Sequence, residues 1–116
     1  MTVRLGKRQV MLPEEQRRAL RALVAAPKFE LIPLKNAREV AGALPDAATV
    51  TVTASPSHGI ESTIELGEHM AASGHDAVPH LSAHMIRDRS HLGELLDRCR
   101  AAGFREAFVV GGDAKD

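Results

Sequence analysis

"TVTVTASPSHGIESTIEL", residues 49–66, contains the change of hydrophobic period that decides the fold. Thr49 to Thr53 alternate threonine with valine, the pattern of a half-buried strand built from β-branched residues. The loop Ser55-Pro56-Ser57-His58-Gly59 follows. Ile60, Ile64 and Met70 then recur at helical spacing, and Gly74 is placed to end the helix as a left-handed glycine.

The same alternation extends in both directions. Upstream, Pro13 followed by Glu14 and Glu15 starts a helix with acids near its positive end. Leu20, Leu23 and Val24 share one face of it, and Pro27 stops it. "FELI", residues 29–32, predicts a first strand. Asn36 with Glu39 resembles a capping box for a helix running to about Leu44, before the Pro45-Asp46 turn. Downstream, Ala77 to Leu81 predicts a third strand, although it contains Pro79. Asp88 or Ser90 caps a helix whose face reads Leu92, Leu95, Leu96, Cys99, and Gly103 ends it. Glu106 to Val110 forms a fourth strand, followed by Gly111-Gly112-Asp113. This order predicts an α/β fold with parallel strands and right-handed crossovers. No Gly-rich dinucleotide fingerprint follows the first strand, which leaves a small open sheet or part of a (β/α)8 barrel.

The 116 residues suit one domain: a leading helix region over 1–27, then strands and crossover helices over 28–116. Fifteen basic and fifteen acidic residues leave no net charge to attract nucleic acid or an anionic membrane. Trp and Tyr are absent, so a base-stacking platform has no material. Arg17, Arg18 and Arg21 read as a solvated helix face. The single cysteine, Cys99, excludes an internal disulfide and falls in step with core leucines. There is no membrane-spanning stretch and no apolar segment of a signal peptide near Met1, so a cytoplasmic location is expected.

Parallel α/β folds bind and react at the carboxyl ends of their strands. Glu30 on the first strand, Thr53 ending the second, His80 late in the third and Asp113 after the fourth would converge there. Glu30 stands in an apolar run, and burying an unpaired carboxylate costs several kcal/mol, so it needs a partner or a task. Each residue also has an ordinary explanation. Glu30 could pair with Lys28 or Lys35, Thr53 could be a plain strand residue, His80 a core histidine and Asp113 a helix cap. His80 and His84 have a spacing compatible with zinc, but no further acidic or sulfur ligand is spaced with them, and no metal is assigned.

"FELIPL", "VTVTASPSHGIESTIEL", "VPHLSAH" and "AFVVGGD" resemble, in order and spacing, landmarks of the methylenetetrahydrofolate reductases. The resemblance runs from about Phe29 to Asp113. It implies the first four strand–helix units of a (β/α)8 TIM-type barrel, incomplete in this chain, since a whole barrel takes ~250 residues. It implies an oxidoreductase that reduces 5,10-methylenetetrahydrofolate to 5-methyltetrahydrofolate with NAD(P)H, usually with FAD. Glu30 would be the catalytic acid and Asp113 would favour the cationic iminium. Thr53, His80, Gly111, Gly112 and Asp113 would line the cofactor pocket. Gly111 stands where the family commonly has an arginine that helps hold the flavin phosphates, so weak or absent flavin binding is expected. The alternative is a truncated half-barrel or pseudoenzyme that acts as a binding or assembly module. A half-barrel exposes a strand edge and one face, so self-association of the isolated chain is expected.

Overall fold

The computed structural model describes residues 12–111. The element order is α1 (Glu14–Ala25), β1 (Lys28–Leu31), α2 (Ala37–Ala41), β2 (Thr49–Val52), α3 (Ile60–Ala72), β3 (Asp76–Ser82), α4 (Arg89–Ala102) and β4 (Phe108–Val110). A single 3-10 turn, Ala83–Met85, follows β3. The four strands form one sheet in the order β1-β2-β3-β4, and every pairing is parallel. This is an α/β architecture in which each crossover carries a helix.

Strand parity divides the sheet into two unlike faces. Phe29, Leu31, Val50, Val52, Ala77, Pro79 and Leu81 share the covered face. Leu31, Val50, Val52 and Ala77 pack with Leu66 and Met70 of α3 and with Ala37 and Ala41 of α2. Leu81 packs with Ile60 and Ile64 of α3 and with Leu95 and Cys99 of α4. Ile64 is fully buried; removing such a side chain leaves a cavity and costs about 2–5 kcal/mol. Pro79 is tolerated inside β3 because β2 pairs with residues 76–79 and β4 with residues 80–82. The missing N–H falls at that changeover.

The helix ends follow their local chemistry. After α3, Gly74 (φ 89°) lets the His75 N–H reach the Met70 carbonyl and the Gly74 N–H reach that of Ala71, a Schellman closure. Gly67 in α3 is buried where an added Cβ would lie 2.9 Å from the Phe104 ring. Its lack of a side chain makes room for that ring.

Several expectations change. Asn36 makes no side-chain capping bond, and the helix after it stops at Ala41, short of Leu44. α1 forms where expected, but none of its residues is buried, and Leu20, Leu23 and Val24 are exposed. The buried stripe of α4 is His91, Leu95, Cys99; Leu96 is exposed and Leu92 only half-buried. Asp88, not Ser90, caps that helix, accepting from the His91 N–H at 2.8 Å. Burial pushes the Cys99 thiol up, which suits packing better than nucleophilic chemistry. The face left uncovered by the helices is mostly polar, with Lys28, Glu30, Thr49, Thr51, Asp76 and His80 on it beside Val78, Phe108 and Val110. Exposed apolar side chains also stand at the outer strands: Phe108 and Val109 on β4, and Ile32 and Leu34 after β1. Among the described residues, no helix is long and apolar enough to cross a membrane.

Candidate functional site

The open face carries Glu30, Thr51, Thr53 and His80. Glu30 is level with Thr51 and Val78, and His80 is level with Phe108. Thr53 continues β2 by one residue, its N–H donating to the Leu31 carbonyl at 2.9 Å. Two residues separate Thr51 from Thr53 and Val78 from His80. Thr53 and His80 therefore stand about 6–7 Å closer than Glu30 to the carboxyl edge. The parallel order thus brings three of the expected site residues to one face. Gly111 follows β4 and is exposed. Gly112 and Asp113 lie outside the described residues.

Glu30 differs from its expected setting. Its apolar neighbours in sequence, Phe29 and Leu31, turn to the covered face, and Glu30 itself is exposed. The cause is strand parity: one residue's shift along a strand reverses the face. Neither lysine considered as a partner takes it. Lys28 Nζ lies 4.0 Å from Glu106 Oε2, spanning the open face over two intervening strands. Arg105 reaches Asp76 at 3.0 Å on the same amino-terminal side.

Thr53 Oγ1 donates to the Leu31 carbonyl at 3.3 Å and keeps lone pairs free to accept. The Thr53 carbonyl accepts from the fully buried Thr63 hydroxyl at 2.9 Å, which pins the first turn of α3 to the end of β2. His80 is half-buried, its ring 5.1 Å from that of Phe108 and tilted by 48°. A hydroxyl, an imidazole and the Gly111 N–H could hold a planar, hydrogen-bonding cofactor. The residues directly after the four strands are uncharged, Ile32, Thr53, Ala83 and Gly111; the cations of the described strand-end loops are Lys35 after β1 and Arg87 after β3, and Arg87 is engaged with Glu61 at 3.5 Å. At the end of β4 itself a phosphate would find the Gly111 N–H and no cationic side chain.

Beside this edge lies a group that sequence reasoning passed over. His91, 4% exposed, accepts at Nδ1 from the Arg87 backbone N–H at 3.1 Å. Its proton is therefore on Nε2, which donates to Glu61 Oε1 at 2.7 Å. Glu61 sits in the first turn of α3. Its own backbone N–H and then the His91 bond hold its carboxyl below the usual range. Arg87 also approaches Glu61, at 3.5 Å. These bonds tie the loop after β3 and the start of α4 to the start of α3. The available signal was spacing, since His91 leads the i, i+4 stripe continued by Leu95 and Cys99. The loop ahead of α3 is also internally bonded. The Ser55 and Ser57 hydroxyls are 2.9 Å apart and lie 3.2 and 3.0 Å from His58 Nδ1. His58 is exposed and no carboxylate bonds it, so this group lacks the orienting acid of a nucleophilic triad. Among the described residues, no three metal-ligating side chains converge.

A scan against protein-family models and a search of curated proteins both return no match to this chain.

Proposed function

We propose that the chain is the amino-terminal half of a methylenetetrahydrofolate reductase-like barrel, with Glu30 as its acid. The observation that carries this reading is the shared face. Glu30, Thr53 and His80 stand together near the carboxyl end of a parallel sheet whose other face is packed under helices. The four sequence landmarks supply the reaction class.

In that reaction, the imidazolidine ring of the substrate opens to an iminium once its N10 is protonated. Hydride from NAD(P)H then reduces the iminium carbon to the methyl group. Glu30 would hold the proton delivered to N10. A carboxylic acid retains its proton near neutral pH when desolvated, so this role requires the open face to be enclosed. In the single chain Glu30 is exposed, so this role needs a closed barrel and is not met by one open sheet. Thr53 and His80 would bind and orient the cofactor and substrate at the rim. Asp113 would stabilise the cationic iminium. FAD, where bound, would supply hydride relay; with Gly111 in place of the family's arginine, direct hydride transfer from NAD(P)H is the reading taken.

The test is NAD(P)H oxidation by the intact gene product, with and without 5,10-methylenetetrahydrofolate. Substrate-dependent oxidation that is lost in Glu30→Gln supports the reading. Oxidation absent from a folded, closed protein sinks it, and favours the binding-module alternative.

A further inference from the structure

β1 and β4 each leave one edge without a strand partner among the described residues. Such edges present rows of unpaired N–H and C=O groups that template pairing with another chain. β4 adds two large exposed side chains, Phe108 at 58% and Val109 at 70%. All four strands run the same way. A two-fold axis parallel to the strands therefore sets β4 of one copy beside β1 of a second and, by the same rotation, the second β4 beside the first β1. The contact closes on itself and leaves no edge.

The two edges are also complementary in detail. Phe108 and Val110 share the parity of Lys28 and Glu30, Val109 shares that of Phe29 and Leu31, and Glu106 lies just ahead of β4. Any in-phase parallel pairing of β4 with a second β1 keeps Val109 with Phe29 and Leu31 on the covered face, and Phe108 and Val110 with Lys28 and Glu30 on the open one. It also brings Glu106 to the end of the sheet where the second copy's Lys28 stands. Lys28 and Glu106 already meet over the open face within one chain, at 4.0 Å. Two copies would place four such charges, alternating in sign, around one end of the closed sheet.

We propose that two copies of this chain close into a two-fold symmetric, eight-stranded barrel, β4 of each pairing with β1 of the other. The proposal rests on the half-barrel reading of the sheet, with a second copy taking the place of a carboxyl-terminal half, and is independent of whether the reductase activity is present. Closure turns both open faces into one interior. Glu30, Thr53 and His80 of both copies then line a shared lumen, and Glu30 loses the water that surrounds it in the single chain. The candidate site is incomplete without the second copy.

Light scattering coupled to size-exclusion chromatography tests this over a concentration series. The samples are the 116-residue chain, Lys28→Glu, Glu106→Lys, and an equal mixture of the two variants; no substrate is added. The unaltered chain is expected at twice its 12.5 kDa mass. Each charge reversal turns two exposed attractive pairs repulsive and raises the dissociation constant on the order of tenfold. The mixture is expected to recover dimer. Each junction between copies again opposes lysine to glutamate there, whereas the pair within each chain stays like-charged. Recovery therefore reports pairing between copies and not repaired folding. A 12.5 kDa monomer at every concentration would overturn the proposal. So would an open-ended series of larger species, or a mixture that associates no better than its components.

Discussion

Replacing His91 with leucine removes both bonds of its ring, one to the start of α3 and one to the loop after β3, while keeping an apolar group of similar size in the core and leaving the Arg87–Glu61 contact in place. The Nε2–H bond to Glu61 is charge-assisted, a class that contributes about 1.5–3 kcal/mol. The low end applies here, because the Glu61 side chain is 51% exposed and water replaces the lost donor. The bond from the Arg87 N–H contributes about 0.5–1.5 kcal/mol, and the gain from burying leucine offsets part of the sum. A net loss of about 2 kcal/mol near pH 7 is expected. The cap from Asp88 survives, since it binds a backbone N–H. The loss should also depend on pH with a definite sign. The Glu61 carboxyl is held below its ordinary 4.5 in the folded chain. Its contribution is therefore complete above about pH 4.5 and fades as pH falls through the folded value. The gap between the two proteins should narrow in acid, because protonated Glu61 no longer gains the charge-assisted bond. Urea unfolding at one fixed protein concentration, from pH 7 down to about 3.5, measures both effects. A gap under about 0.5 kcal/mol, or one constant across that range, would refute this account of the His91–Glu61 pair.

Three other outcomes are expected. Ile64→Ala should lower stability by about 2–5 kcal/mol in the same unfolding assay, since this side chain is fully buried between the sheet and the two helices; a loss below 1 kcal/mol would mean the site collapses or is poorly packed. Glu30→Gln should leave circular dichroism and unfolding unchanged but reduce folate-dependent NAD(P)H oxidation at least ~10²-fold, and near-normal turnover would remove Glu30 from the chemistry. The intact protein, purified without added cofactor, should be colourless and its activity indifferent to FAD. Gly111 offers no cationic side chain, and the phosphate bond of an arginine there would correspond to about tenfold to a hundredfold in affinity. A yellow protein, or activity that appears only with FAD, would reverse that reading.

The period of the apolar residues is a local property, and it was enough to determine the elements. Thr49 to Thr53 alternate and Ile60, Ile64 and Met70 do not, because a strand turns its side chains by half a circle per residue and a helix by about 100°. The parallel order followed from strands and helices taking turns, and with it came the grouping of Glu30, Thr53 and His80 at one end. Glycines 74 and 103 were legible as helix ends for an equally local reason, the left-handed backbone that a Cβ disfavours. The fate of individual side chains depended on what packs against them. The apolar run around Glu30 read as burial, yet parity turns its neighbours inward and leaves the acid exposed. The leucines of α4 read as one core face, but α3 and the sheet cover His91, Leu95 and Cys99 and leave Leu96 outside. Lys28 was weighed against a near neighbour and found its partner 78 residues away, at Glu106. Burial and ion pairing depend on atoms distant in the chain. Only the folded sheet, by bringing those atoms together, decides which face is core and which is open to a ligand or to a second copy.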